Sequence, residues 1–292
     1  MVGKMGIVIA VLERYERLLV YNISVLRKGI GCNLPIELWQ IDREISSKAQ
    51  DFLESKKVEW NLSFKNVRDY TKDPEHWRGY QIKAFIMKHT TFDEAILIDC
   101  DSFFLQNPES GFNDPNYIET GTFFFKDFLR HCPKSPEEEN ARKVWFRKMM
   151  PFPSPYLPKE CYYLYDLPFE AQQYWFYQES GMVYLNRKRH PNVVDKIYEL
   201  NNNHKETYKY VHGDKETFWI ACLLCNVPFY MNQVPGINLY PDLEKPMTYG
   251  EELGPAFTHL YIKDDNVLLY YSQKAYPDVS LITKEDILRQ LS

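Results

Sequence analysis

The chain has 292 residues, which suits one large α/β domain or one domain with a small appendage. Hydrophobic residues make up 45% of it and charged residues 26%, a composition typical of a folded protein that disfavours disorder along nearly the whole length. The formal charge of -5 argues against a nucleic-acid partner, which would require a strongly basic face.

The first apolar run, Gly6 to Leu12, predicts a buried strand. It resembles the core of a signal peptide, but a charged stretch follows it and no small-residue cleavage site is present. The run from Phe218 to Tyr230 is shorter than the roughly 20 residues that a membrane span needs. We therefore expect a soluble, cytoplasmic chain without a membrane span.

Strand and helix signals alternate along the first half of the chain. The predicted elements are a strand at Ile7 to Leu12, a helix at Tyr15 to Lys28, an alternating strand at Ile36 to Ile41, helices at Ser46 to Lys56 and Tyr80 to His89, and a strand at Glu94 to Asp99. The last strand is apolar through its middle, as in a parallel sheet covered on both faces. This order predicts a doubly wound, mostly parallel α/β domain, whose ligands bind at the carboxyl ends of the strands.

The segment 131–176 differs from the rest because it holds seven prolines and an acidic run. It predicts little regular structure apart from a short helix around Ala141 to Met150. Aromatic residues crowd this segment and the residue directly after it, namely Tyr156, Tyr162, Tyr163, Tyr165, Tyr174, Trp175 and Tyr177. Two alternatives stay open: the rings bind a carbohydrate, or they pack this insertion against the domain.

The second half returns to regular signals. They predict a strand at Ser180 to Leu185, helices at Val193 to Leu200 and Asp214 to Cys225, and further apolar runs at Ala256 to Tyr261 and Val267 to Tyr271. We interpret the six cysteines as reduced thiols. Cys222 and Cys225 lack a second ligand pair for zinc, so core cysteines are the preferred interpretation.

Asp99-Cys100-Asp101 follows the most apolar strand. Two carboxylates at a strand end are costly unless positive charge lies beside them. Mn²⁺ and Mg²⁺ prefer oxygen ligands and also bind substrate phosphates. A turn with two solvated aspartates is the alternative, but the flanking apolar residues favour a metal site.

The stretch from Phe92 to Glu109 resembles the Asp-x-Asp (DXD) core of GT-A fold glycosyltransferases. Four further stretches resemble the fungal-type α-mannosyltransferase family that builds mannan side chains, in the order that this family shows. They are Leu26-Arg27 with Leu34-Pro35-Ile36-Glu37, Thr120 to Asp127, Gln178 to Tyr184, and Gly213 to Trp219.

This resemblance implies a retaining, Mn²⁺-dependent (or Mg²⁺-dependent) transfer of a sugar from a nucleotide-sugar, with GDP-mannose as the favoured donor and a glycan or glycoprotein as the acceptor. It implies a nucleotide-sugar-binding half at 1–130, the irregular aromatic insertion at 131–176, and an acceptor-side half at 177–292. Family members are usually anchored Golgi proteins, so the Golgi lumen is the expected location if an anchor has been removed.

The resemblance also implies roles for the donor and metal sites. Asp101 would bind the metal, and Asp99 would bind it too or hold the ribose. His259 would be a third metal ligand, or else a core or surface histidine. Lys83 would contact donor phosphates and Lys263 the diphosphate; each has a plain surface lysine as its alternative.

Two carboxylates are candidates for a position beside the transferred sugar. Asp214 follows Gly213, and a turn there would expose it at the rim of the pocket, unless it only caps the helix. Glu179, beside Ser180, is the second candidate, with a structural hydrogen bond as its alternative.

Three other functions compete with this one. The first is a glycogenin-like transferase that uses a UDP-hexose, and the second is an inactive carbohydrate-binding relative. A sugar nucleotidyltransferase would carry a glycine-rich loop after its first strand, but Leu12 to Glu16 contains no glycine.

Overall fold

The computed structural model describes residues 4–12, 15–104, 106–126, 135–168 and 178–232. Beyond them it describes the backbone of three strands near the C-terminus. In chain order the strands are β1 Met5–Ala10, β2 Ile36–Gln40, β3 Leu62–Asn66, β4 Glu94–Ile98, β5 Ser102–Phe104, β6 Thr122–Lys126, β7 Gln178–Asn186, β8 Met231–Asn232, β9 Ile237–Leu239, β10 Ala256–Lys263 and β11 Asn266–Ser272. The α-helices are α1 Glu16–Ser24, α2 Ser47–Ser55, α3 Ile82–His89, α4 Pro115–Thr120, α5 Pro136–Met149, α6 Pro191–Asn202, α7 His204–Thr207 and α8 Thr217–Leu224.

Seven strands form the main sheet, in the order β3-β2-β1-β4-β7-β6-β8. The strands β3, β2, β1 and β4 run parallel, as the alternating signals predict, and β8 is parallel to β6. Only β7 is reversed, pairing antiparallel with both β4 and β6. The mostly parallel doubly wound sheet is therefore confirmed, and β1 and β4 end at the same edge.

Both faces of this sheet are covered. Along β1, Val8 and Ala10 pack in a core cluster with α3, α6 and α8, whereas Ile7 and Ile9 pack on the other face with α1 and α2. The strand predicted at Ile36 to Ile41 is confirmed as β2, and all five of its residues are buried although polar and apolar residues alternate along it. Its Glu37 is tolerated there since it accepts hydrogen bonds from Trp39 Nε1 at 2.9 Å and from Thr91 Oγ1 at 2.6 Å.

A second sheet has the antiparallel order β5-β11-β10-β9. Its strands β10 and β11 coincide with the two C-terminal apolar runs. The strands β5 and β9 of this sheet and β3, β6 and β8 of the main sheet were not predicted. Each of these missed strands is short, and its place depends on a partner distant in sequence. The strand β5 starts directly after Asp101, so the two sheets meet at the carboxyl edge of β4.

The described part of the proline-rich segment, residues 135–168, is more regular than predicted. Its helix α5 begins at Pro136, five residues before the expected start, because the Ser135 side chain accepts a hydrogen bond from the Glu138 amide and the acidic run occupies the first turn. Among the aromatics, Tyr163 is buried, and Tyr162 and Tyr165 pack against the core. Packing therefore accounts for these three rings. Tyr156 is exposed, and Tyr174, Trp175 and Tyr177 lie outside the described residues.

The five cysteines in the described residues are free thiols, as expected. Cys222 is buried and Cys225 is half-buried, with its Sγ 3.4 Å from the Asn192 carbonyl. In the described part of the chain, none of the helices has the length and apolar character that crossing a bilayer requires.

Arg187 joins β7 to the end of α3. Its guanidinium donates to four backbone carbonyls, those of Met87, Lys88, Thr90 and Phe92. Two of these belong to the last turn of α3 and two to the connection that leads into β4. Burial lowers the pKa of Arg187, so the carbonyl acceptors compensate a desolvated cation.

We expect Arg187→Leu to lower the free energy of unfolding by about 3 kcal/mol, because several buried carbonyls lose a charged donor together. Urea denaturation measures this loss. The neighbouring Lys188→Leu is the matched control, since its contact with Asp93 is exposed and 3.6 Å long, and it should change stability by less than about 1 kcal/mol. Equal effects of the two substitutions would contradict this role for Arg187.

Candidate active site

The turn Asp99-Cys100-Asp101 leaves β4 at the carboxyl edge of the sheet and is fixed from two sides. The carbonyl of Gly181, on β7, accepts from the Asp99 amide at 3.0 Å and from Ser102 Oγ at 3.1 Å. The Cys100 thiol donates to the Ala10 carbonyl, on β1, at 2.9 Å. Cys100 is buried, so the flanking carboxylates are presented from a rigid support.

Lys83, on the first turn of α3, lies beneath this turn. Its Nζ is 2.7 Å from Asp99 Oδ1 and 3.8 Å from Asp214 Oδ2. It also lies 3.1 Å from the Ser180 carbonyl and 3.3 Å from Ser180 Oγ. Lys83 is only 8% exposed, so the alternative of a plain surface lysine is wrong. Burial alone would lower the pKa of Lys83, but Asp214 and Asp99 outweigh it and raise that pKa.

Asp214 is 1% exposed, so the expected exposure at the rim of the pocket is wrong. The reason is local: Gly213 adopts φ +63°, and the following carboxylate lies inward, beside Lys83. Helix α8 begins at Thr217, three residues later than predicted, and no side chain caps it. The carbonyl of Asp214, and not its carboxylate, accepts from the Thr217 amide at 2.9 Å. The N-cap alternative is therefore also wrong.

Glu179 lies on β7 beside this cluster. Its Oε1 accepts from the Gly181 amide at 2.8 Å, and its Oε2 forms an ion pair with Lys215. Both contacts agree with the alternative role for Glu179, which is a structural hydrogen bond. They also hold the Gln178–Asn186 strand against the turn that carries Asp214.

The charges of this cluster do not balance. Asp99, Asp101 and Asp214 carry three negative charges when ionised, and Lys83 supplies one positive charge; Glu179 and Lys215 cancel each other. Burial, together with the charge of Asp99, raises the pKa of Asp101 to about 7. Burial raises the pKa of Asp214 to about 6, although Lys83 opposes this. A divalent cation would remove the excess of two negative charges, and carboxylate oxygens suit Mn²⁺ or Mg²⁺.

In the described residues, three or more His, Cys, Asp or Glu side chains do not converge on one point that could hold a metal. The side chains of His259 and Lys263 lie outside those residues. Their backbone lies in β10, where His259 pairs with Tyr270 of β11, and Tyr270 pairs in turn with Phe104 of β5. The strand of His259 thus belongs to the same sheet as β5, the strand that directly follows Asp101.

Two contributors were missed by the sequence reasoning. Ser180 supplies two acceptors to Lys83, and Lys215 neutralises Glu179. Both residues stand inside the blocks Gln178 to Tyr184 and Gly213 to Trp219. The sequence signal was therefore present, but the charge partner of each residue depends on the fold.

Residues 4–239 match the Mannosyl_trans3 family, described as "Mannosyltransferase putative". The chain belongs to this mannosyltransferase family. The matched residues include Lys83, Asp99, Asp101, Glu179 and Asp214, whereas β10 lies beyond them.

Fungal proteins are among the similar chains. "Putative alpha-1,3-mannosyltransferase MNN12" of Candida albicans is 30% identical over 210 residues, which are 66% of this chain and 24% of that protein. Alpha-1,3-mannosyltransferase MNT3 of Saccharomyces cerevisiae is 23% identical over 262 residues, which are 82% of this chain and 41% of that protein. The matched part of this mannosyltransferase-family chain thus spans less than half the length of these two relatives.

A solved structure supports the fold. The Mn/GDP form of core-mannan synthase A from Aspergillus fumigatus has a TM-score of 0.52 and 13% identity, and the match covers 82% of this chain and 75% of that one. At this identity the likeness concerns the fold alone. The family chain therefore has the GT-A fold that the DXD stretch indicates.

The environment of Lys83 generates a stability prediction that depends on pH. Some carboxyl groups have a higher pKa in the folded protein than in the unfolded chain. Such a group lowers the free energy of unfolding as the pH rises from the lower to the higher of these two values. Lys83→Met would raise the pKa of Asp214 beyond about 6 and extend this loss to higher pH. In metal-free buffer we expect a loss of about 3 kcal/mol at pH 8 and a smaller loss at pH 5, measured by urea unfolding.

The matched control is Lys88→Met on the same helix. Lys88 pairs with Asp195 on the surface, so its loss should cost less than about 1 kcal/mol at either pH. Adding Asp214→Asn to Lys83→Met should remove much of the extra loss at pH 8. The same loss at both pH values would show that Lys83 does not compensate a buried charge.

Proposed function

We propose that this chain transfers α-mannose from GDP-mannose to a glycan or glycoprotein acceptor, with retention of anomeric configuration and with a bound divalent cation. The observation that carries the proposal is the cluster of Asp99, Asp101, Asp214 and Lys83 at the carboxyl edge of the sheet. This edge is where open α/β sheets bind ligands, and the cluster has a negative excess that suits a cation beside a diphosphate. Membership of the mannosyltransferase family favours mannose as the sugar.

Asp99 and Asp101 would hold Mn²⁺ or Mg²⁺, with His259 of β10 as the proposed third ligand. When bound, the ion would neutralise the charge that develops on the departing nucleoside diphosphate. The half-buried Asp99 is also the proposed partner of the donor ribose. Lys263, on the same strand as His259, is the proposed contact for the diphosphate.

We assign Lys83 a different role from the one that the sequence suggested. Its Nζ already has protein oxygens from Asp99 and Ser180 within 3.3 Å. Lys83 would therefore fix the positions of Asp99 and Asp214 rather than bind a donor phosphate directly. A fixed arrangement of charge costs no reorganisation when the sugar acquires positive charge.

Asp214 is the proposed carboxylate for the transferred sugar. Retaining transfer at an oxocarbenium-like centre needs nearby negative charge, as in retaining glycosidases. A carboxylate that is 1% exposed suits electrostatic stabilisation better than covalent attack. Glu179 is the alternative, although Gly181 and Lys215 already engage both of its oxygens.

A panel of nucleotide-sugars tests the donor and the metal together. With Mn²⁺ and an α-mannoside acceptor, we expect GDP-mannose to give the fastest release of nucleotide. EDTA should abolish the release and added Mn²⁺ should restore it. Asp101→Asn should lower turnover at least about 100-fold, because the site loses a charged ligand.

The outcomes separate the competing functions. Preference for a UDP-hexose would overturn the donor but keep a glycosyltransferase. Sugar binding without turnover of any donor would favour the carbohydrate-binding relative. Full activity in EDTA would remove the metal from the proposal.

Asp214→Asn tests the carboxylate. We expect kcat to fall by at least about 100-fold, the scale of one lost electrostatic stabiliser. The Kd for GDP-mannose should change little, because the interaction strengthens mainly in the transition state. Single-turnover kinetics and calorimetric titration give the two numbers.

Glu179→Gln is the control at the second carboxylate. It removes the partner of Lys215 and should change kcat by less than about 10-fold if the role of Glu179 is structural. A large loss in Glu179→Gln together with near-normal turnover in Asp214→Asn would exchange the two roles.

A further inference from the structure

Tyr80 is an exposed aromatic residue beside a buried charged cluster. It directly precedes the Gln81 cap of α3, and its carbonyl accepts from the Lys83 amide at 3.3 Å. Helix α3 connects the parallel strands β3 and β4, so its start lies at the carboxyl edge of the sheet. Tyr80 is 53% exposed, whereas Trp77 and Phe85 nearby are buried.

The Tyr80 ring is held against the turn that carries Asp214. A Cβ atom added to Gly213 would lie 2.8 Å from Cγ of Tyr80 and 2.9 Å from its Cδ2. Gly213 also adopts φ +63°, so glycine meets both a conformational and a steric requirement here. The ring therefore contacts the Gly213 backbone while about half of the residue stays open to solvent.

A second ring lies at the same place. His212 is exposed, and its ring centroid is 5.9 Å from that of Tyr80, with the planes inclined by 49°. Tyr80 and His212 thus flank the Gly213 backbone, and Asp214 lies buried directly after it. Two accessible rings border the turn that holds the proposed sugar-facing carboxylate.

We propose that Tyr80 and His212 form a subsite that binds a hexose ring of the substrate, an inference that rests on the proposed function. A pyranose ring presents apolar C–H groups on its faces and hydroxyls around its edge. The Tyr80 ring presents an apolar face that matches the C–H groups of such a pyranose. Its contact with Gly213 fixes the ring without a hexose, so little side-chain entropy is lost on binding.

Three variants test the subsite. Tyr80→Leu removes the ring, Tyr80→Phe keeps it, and Phe52→Leu is the matched control. Phe52 is 41% exposed, but it lies on α2, which connects β2 to β3 away from the cluster. Each variant is assayed for the KM of a mannobiose acceptor, the KM of GDP-mannose, hydrolysis of GDP-mannose without acceptor, and thermal unfolding.

We expect Tyr80→Leu to raise the acceptor KM by about 10-fold, with hydrolysis and Tm near those of the wild type. Tyr80→Phe and Phe52→Leu should stay within about 2-fold. An increase in the KM of GDP-mannose instead would identify the donor mannose as the bound hexose and would also support the subsite. Unchanged KM values for both substrates would overturn it, as would a parallel loss of kcat, hydrolysis and Tm.

Direct binding of mannosides tests the subsite independently of the proposed sugar transfer. Mannobiose and methyl α-mannoside are titrated against the wild type and Tyr80→Leu by NMR, without any donor. Weaker binding by the variant would support the subsite even if the wild type showed no transfer. Equal binding by both proteins would overturn the subsite and leave the proposed transfer unaffected.

Discussion

The amine of Lys83 lies among acceptors from three separate elements. Asp99 follows β4, Ser180 belongs to β7, and Asp214 precedes α8. A buried cation is stable only when such acceptors compensate its lost hydration. The buried amine therefore connects the first turn of α3 with the end of β4 and with the start of α8.

The reversed strand β7 makes this arrangement possible. Because β7 pairs antiparallel with β4, its first residues reach the edge at which β4 ends. The carbonyl of Gly181 fixes the Asp99 turn, and Ser180 holds Lys83. A parallel strand at this position would bring its last residues here instead. The short block Gln178 to Tyr184 thus supports the site mainly through backbone groups.

The excess negative charge connects stability with activity. Burial and the Asp99 charge raise the pKa of Asp101, so the cluster resists full ionisation unless positive charge arrives. A cation bound there, as the proposed function requires, would stabilise the folded protein by binding it and not the unfolded chain. The exposed rings of Tyr80 and His212 add an apolar border to this polar centre.

The sequence by itself determined the features that depend on local pattern. The apolar run before Asp99 predicts a buried strand with two carboxylates at its end, and the order of strands and helices predicts the mostly parallel sheet. The order of the short blocks along the chain indicated the mannosyltransferase family. Local patterns predict these strands and helices because hydrophobic periodicity and the ends of strands depend on residues that are close in sequence.

Only the tertiary structure decided which side chains meet. The sequence did not decide whether Lys83 is buried, and it suggested an exposed or capping Asp214. In the structure the two side chains form a buried pair. Burial and ion pairing depend on segments far apart in the chain, which local sequence patterns do not report. The strands β3, β5, β6, β8 and β9 were missed for the same reason, because each is short and stabilised by pairing with a distant partner.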